Sequence, residues 1–236
     1  MKNLLLILSL VFVSCASEAN DMDSFFKKSD VFFKKYVANS KVDYAAVKSN
    51  SSDLETLLNL TENANLNGLT DNETKAFWIN AYNLHVIKGV VAKYPVKSPL
   101  DVPGFFDKIQ YTVAGNKITL NDIENKKIRE KYIDARIHFV LVCGANSCPP
   151  IIEGAYFPET LEKQLNEQTK LALNNPNFIK VSKGKVSVSQ IFEWYKKDFI
   201  TKKSNEIDFI NKFRTTKISS NSKLGYYTYD WTLNKK

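Results

Sequence analysis

The chain is short of cysteine and has no long apolar run beyond its start. Among 236 residues only Cys15, Cys143 and Cys148 carry thiols. After Leu4 to Val13, no stretch approaches the roughly 20 apolar residues that a bilayer-spanning helix needs. No basic block is interleaved with aromatics, which argues against a nucleic-acid surface. No internal repeat is visible, and no low-complexity linker divides the chain. Helical and strand-like segments alternate irregularly, without the βαβ order of a doubly wound sheet.

The start is informative. Lys2 is followed by the apolar run Leu4 to Val13 and by the small Ser14 directly before Cys15. That is the layout of a secretory signal, too short to span a membrane. Phe12-Val13-Ser14-Cys15 resembles the lipobox of bacterial lipoproteins, with Phe where Leu is usual. The resemblance implies cleavage before Cys15 and lipid on its thiol; the alternative is ordinary secretory cleavage near Ala19. Two or more acyl chains anchor firmly, since each buried CH₂ contributes about 0.8 kcal/mol. Residues 1–14 are therefore read as a signal, 15–21 as a tether and 22–236 as a single globular domain. The expected location is the cell envelope, on a periplasmic or surface face, with the membrane as partner through Cys15.

Hydrophobic residues make up 44% of the chain and aromatics 12%, a globular composition. The formal charge of +8 comes mostly from scattered lysine pairs such as Lys34-Lys35 and Lys196-Lys197. They read as solvated helix faces, or more sharply as attraction to anionic lipid or polysaccharide. Nucleic acid is not an expected partner, because export removes the protein from it.

Phe25, Phe26, Phe32, Phe33 and Tyr36 fall at helical spacing between Asp21 and Tyr36. Thr70 and Glu73 form a capping box that opens a long apolar helix, roughly Asp71 to Lys93, ended by Pro95. Hairpins are expected around Ala114-Gly115-Asn116 and Lys183-Gly184. A charged helix runs from Asn121 to about Tyr132, and Ile137 to Val142 reads as a buried central strand. Pro158 opens a helix to about Asn174, Ser189 caps one through Phe199, and Ser204 caps one through Phe213. The tail around Tyr226 to Trp231 is strand-prone, and its aromatics on both faces suggest a strand buried on both sides or one wall of a groove. The class is α+β: one domain, a mixed sheet with hairpins against several helices, and one long buried central helix.

Three segments carry candidate chemistry. On the long helix, Asn80 and Asn83 fall inside an apolar stripe, and a buried amide without partners costs about 1–3 kcal/mol. Each ties down loop backbone, or orients a substrate or catalytic group. His85 points to the opposite side, near Trp78 and Gly89. On a regular strand Arg136 and His138 share a face and Cys143 faces away, so a direct His138–Cys143 dyad is not expected. Cys148 reaches His138 only if its loop folds back about 16 Å, at roughly 3.3 Å per residue; a pairing with His85 is left open.

Four readings of Cys143 and Cys148 compete. They are a disulfide adding about 2 kcal/mol, inert thiols in the core, one thiolate activated by a histidine, or a metal site. C-x₄-C is at the loose end of zinc spacing and no second ligand pair follows, so no metal or other cofactor is expected. Asp230 in the tail requires a cation or N–H partner, with Arg136 the obvious cation.

Together FWINAYNLHVIKG, ITLNDIENKKIR, RIHFVLVCGANSCPP, SVSQIFEWYKKDF and YTYDW resemble the bacterial family called domain of unknown function 547. The likeness runs from about Val42 to Trp231 and matches residue by residue at Asn80, Asn83, Arg136, His138, Cys143, Gly144, Ser147, Cys148 and Pro149. It implies an exported or lipid-anchored bacterial protein and carries no catalytic assignment. The first functional expectation is a cleft for a peptide, glycan or protein partner between the Asn80/Asn83 helix and the Cys143–Cys148 loop. Arg136, Ser147, Cys143 and Asp230 are its candidate binding residues. The alternative is a thiol-dependent hydrolase or acyl transferase. There Cys148 is the nucleophile, a histidine such as His138 the base, and Asn80 or Asn83 the orienting amide.

Overall fold

The computed structural model describes residues 15–236; the expected signal segment lies outside them, as does the side chain of Cys15 on which lipid is expected. Helix α1 (Cys15–Tyr36) buries all five aromatics of the helical stripe. It begins before Asp21, so the backbone of the expected tether is its first turns. A tight hairpin, β1 (Val37–Ala38) and β2 (Lys41–Val42), leads to α2 (Tyr44–Ser49) and α3 (Ser51–Glu62).

Helix α4 (Asp71–Lys93) opens as its capping box predicts. The Thr70 hydroxyl accepts from Glu73 N–H at 3.2 Å, and the Glu73 carboxylate accepts from Thr70 N–H at 2.8 Å. It is apolar on nearly every side, and nearly every side is buried. Gly89 lets the following strand approach: a Cβ there would sit 2.7 Å from Tyr111 Oη.

Strands β3 (Gln110–Val113) and β4 (Asn116–Thr119) form the expected hairpin, with Ala114 and Gly115 both left-handed, the turn whose twist suits paired strands. The charged helix is present but composite: α5 (Leu120–Asp122), a π-helical stretch Ile123–Arg129, and α6 (Glu130–Tyr132). Bonds closing over five residues widen the turn and bring Glu124 and Arg129 towards one face.

The expected strand Ile137 to Val142 does not form. Residues Ala135–Phe139 make a 3₁₀ turn, and the chain then passes α4 without joining a strand. The Asn83 amide replaces a strand neighbour, donating to Val140 O at 2.9 Å and accepting from Val142 N–H at 2.9 Å. A single side chain thus satisfies backbone that would otherwise need a sheet.

After the 3₁₀ turn Pro158–Thr160 comes α7 (Leu161–Asn174). Strands β5 (Ile179–Ser182), β6 (Lys185–Ser189) and β7 (Lys223–Tyr227) form a mixed sheet, antiparallel between β5 and β6 and parallel between β6 and β7. The helix expected from Ser189 is broken at Tyr195 into α8 (Ile191–Trp194) and α9 (Lys196–Phe199). Helix α10 (Glu206–Phe213) is capped by Asn205 reciprocally with Asp208, not by Ser204. Only the start of the aromatic tail is strand. From Thr228 it peels away and lies along the cysteine loop, where Asn146 N–H bonds Thr232 O at 2.7 Å and Asn234 N–H bonds Gly144 O at 3.0 Å.

The fold is α+β in one domain, with α4 as its buried axis. One apolar core surrounds α1 and α4; a second lies between the mixed sheet and the last helices. Cys148 packs against both, so the cysteine loop sits on their seam.

Candidate functional site

A cavity of about 270 Å³ opens on this seam. Its walls come from separate segments: Tyr82 of α4, Phe106, Glu124 of the π-helical stretch, His138, Cys143, Trp194 and Tyr195 at the α8 break, and Tyr229 and Trp231 of the tail. The break at Tyr195 matters locally. It turns Tyr195 towards His138, with ring centres 4.2 Å apart.

His138 is buried, and its Nε2 lies 2.7 Å from Asp198 Oδ2. Arg129 grips the same carboxylate through Nε at 2.5 Å and Nη2 at 2.9 Å. Partial burial alone would raise the Asp198 pKa, but the bonds from His138 and Arg129 hold it well below the ordinary carboxylate range. An ionised Asp198 fixes the proton on Nε2 and leaves Nδ1 as the nitrogen able to accept one.

Glu124 accepts from Tyr82 Oη at 3.4 Å and is also hydrogen-bonded by Tyr195. Burial pushes the hydroxyls of Tyr82, Tyr195 and Tyr229 upward, so all three are protonated donors at neutral pH. Tyr229 Oη lies 3.1 Å from Cys143 Sγ and 3.2 Å from Cys148 Sγ.

The cysteines are joined as a disulfide, Cys143–Cys148. Cys148 Sγ also accepts from the N–H of Cys143 at 3.1 Å and of Ala145 at 3.3 Å. The bridge is a partition. Cys143 faces the aromatic cavity, while Cys148 faces a polar groove of about 520 Å³ that includes Lys41, Ser147, Lys180 and Asp230.

The sequence-derived candidates divide accordingly. His138 and Cys143 meet in one cavity, against the period-two expectation, because the 3₁₀ turn has no alternation of faces. The same turn separates Arg136 from His138. Arg136 binds Asp134 at 2.7 Å, Glu162 at 2.8 Å and Asn166 at 3.1 Å, away from the cavity. It does not pair with Asp230, whose carboxylate accepts from Thr232 N–H at 2.9 Å. Ser147 accepts from Asp230 N–H at 2.8 Å in the polar groove.

Asn80 lies on the far side of α4, donating to Ala76 O at 2.9 Å and Tyr156 O at 2.8 Å and accepting from Tyr156 N–H at 3.0 Å. With the bonds of Asn83, both amides serve backbone. His85 Nδ1 lies 2.7 Å from Ala81 O and its ring packs on Tyr111, away from Cys148. Burial lowers its pKa to about 4.

Sequence reasoning assigned no role to Tyr82, Glu124, Arg129, Trp194, Tyr195 or Asp198, and took Tyr229 and Trp231 only as part of a tail that is a buried strand or one wall of a groove; both line the cavity. The signal was present. All eight lie in the five segments that carry the family resemblance. Among the described residues no group of three or more His, Cys, Asp or Glu is arranged to hold a metal ion, and no helix is long and apolar enough to cross a membrane.

No curated protein and no solved structure matches the chain. The family model described as "Protein of unknown function, DUF547" matches residues 66–171. That segment supplies Tyr82, Glu124, Arg129, His138 and Cys143, and the residues after it close the cavity. The chain therefore carries a DUF547-family domain, with α4, the π-helical stretch and the cysteine loop as its framework.

Proposed function

We propose that the chain is an exported envelope protein, anchored to a membrane through lipid on Cys15, that holds a ligand in the cavity between α4 and the Cys143–Cys148 loop. One observation carries the binding reading: aromatic side chains from four separate segments converge on two polar groups, Glu124 and His138. Such convergence of apolar walls on a few polar groups is the physical signature of a ligand site. The signal layout before Cys15 supports the anchoring. Cys15→Ser is expected to move the protein from the membrane fraction to the soluble one. For the cavity, Trp194 and Trp231 report occupancy by fluorescence. Short peptides and oligosaccharides of the envelope are titrated against wild type and the pair Trp194→Phe and Trp231→Phe. The binding reading is lost if no ligand shifts wild-type emission saturably.

A second reading is favoured by the His138–Asp198–Arg129 chain beside Cys143: thiol-dependent acyl transfer or hydrolysis. Its nucleophile is then Cys143, which shares the cavity with His138, rather than Cys148. It requires reduction first. A dithiol protein of the envelope attacks Cys143 Sγ, the S–S bond breaks, and Cys148 leaves with the electron pair among its three donors. The dithiol's second thiol then displaces Cys143 and the dithiol becomes the disulfide. Cys143 next gives its proton to His138 Nδ1 and attacks a substrate carbonyl; the leaving group takes that proton, and water releases the acyl group. After reduction, Cys143 is expected to alkylate faster than Cys148, and His138→Gln to slow it at least tenfold. Equal rates in the variant would remove this reading and leave the cleft intact.

A further inference from the structure

We propose that the ligand presents a primary alkylammonium group to Glu124. This inference rests on the cavity being a binding site. Glu124 is an acid among aromatic rings, and among the described residues no basic group stands within 4.0 Å of its carboxylate. The nearby Asp198, by contrast, is answered twice, by Arg129 and His138. Arg129 turns three of its five N–H donors to Asp198 and Asn125 and makes no hydrogen bond or ion pair with Glu124, on which its charge acts only through space. Asp198 takes Arg129 as its direct partner, so Glu124 is the cavity carboxylate left without a contacting cation. It runs against a chain whose formal charge is +8.

The rings around it suit a cation. Trp194, Tyr229 and Trp231 form one cluster, with centroids 5.0, 4.8 and 6.0 Å apart. Trp194 remains 46% exposed, a large aromatic kept at the mouth rather than withdrawn into the core. Electron-rich faces attract an ammonium by about 0.5–2 kcal/mol each, more as water is excluded. A carboxylate accepts at about four lone-pair positions, and two tyrosine hydroxyls do not fill them. A primary ammonium brings three N–H donors to the remainder, and its aliphatic stem lies against Phe106 and Leu141, which also line the cavity. An anion would meet the same carboxylate and be repelled, and a neutral isostere would gain only the apolar contact.

The test uses the full chain and n-butylammonium at constant ionic strength, read by ligand-observed NMR relaxation. n-Butanol, butyrate and tetramethylammonium are run in parallel. Saturable binding of n-butylammonium is expected, at least tenfold tighter than n-butanol, with butyrate not binding. Glu124→Gln keeps the shape and the acceptor for the tyrosines, and should weaken n-butylammonium at least tenfold; circular dichroism and Tm show whether the variant is folded. Trp194→Leu, at a half-exposed position, should weaken it several-fold and serves if Glu124→Gln fails to fold. Butanol binding equal to butylammonium would overturn the charge requirement while the cleft reading stands. Tetramethylammonium binding more tightly, with Glu124→Gln unaffected, would replace the carboxylate by an aromatic cage alone. No binding of n-butylammonium overturns the proposal, and the peptide and oligosaccharide titrations judge the cleft separately.

Discussion

Acidification should destabilise this protein through His85, which does not line the cavity. The ring is buried inside α4, and burial lowers its pKa from 6.5 to about 4, against a smaller upward effect of the bond to Ala81 O. In the unfolded chain the ordinary value applies, so between these two pKa values the unfolded state binds the extra proton. Stability is therefore intact above the unfolded pKa and is lost as pH falls towards the folded one. At about 1.4 kcal/mol per unit, the full loss is about 3 kcal/mol, of which about 2 kcal/mol falls between about pH 7.5 and about pH 5. His85→Phe removes the titration while keeping a ring against Tyr111. It forgoes only the bond to Ala81 O, a carbonyl already within the helix ladder. Urea unfolding of both proteins at the two pH values measures the difference. The wild type should lose about 2 kcal/mol more than His85→Phe on acidification, by the same linkage. Equal losses would refute the argument, since every other titrating group is common to both.

Other perturbations follow from the same packing. Asn83→Ala should destabilise by about 1–3 kcal/mol for each of Val140 O and Val142 N–H left unpaired, and should speed amide exchange ahead of Cys143; unchanged urea unfolding would disprove the strand-like role of the amide. Gly89→Ala places a Cβ 2.7 Å from Tyr111 Oη and 2.8 Å from the Phe105 ring, and such overpacking should cost about 1–3 kcal/mol in thermal or urea unfolding. The Asp134 carboxyl is pushed up by burial but brought down to about 2 overall by Arg136 and Lys75. Stability present above its ordinary value of 3.8 should thus fade as pH drops through about 2. Asp134→Asn should flatten acid unfolding in that window.

The α+β class, the long buried helix with its Thr70–Glu73 box, both longer hairpins and the aromatic stripe of α1 were all legible in the residues. Each rests on local rules: apolar periodicity, reciprocal capping, and turn residues that tolerate a left-handed backbone. The run Ile137 to Val142 misled because composition reports burial, not hydrogen-bond partners. A β-branched apolar segment becomes a strand only if a neighbouring strand supplies those partners, and here the Asn83 side chain supplies them from a helix. Once the strand is gone, the alternation of faces goes with it, and His138 and Cys143 come to share a cavity.

Period-based reasoning also had no means of finding Asp198, which is 60 positions from His138, or Glu124 and Tyr229, because nothing local encodes which distant segments meet. By itself the sequence determined the segments that fold and most of the polar residues in them that must find partners. Only the tertiary structure decided which partners they found. It set Asp198 behind His138, Tyr229 over both sulfurs and Glu124 among the aromatic rings, because those contacts depend on how two cores close on one loop.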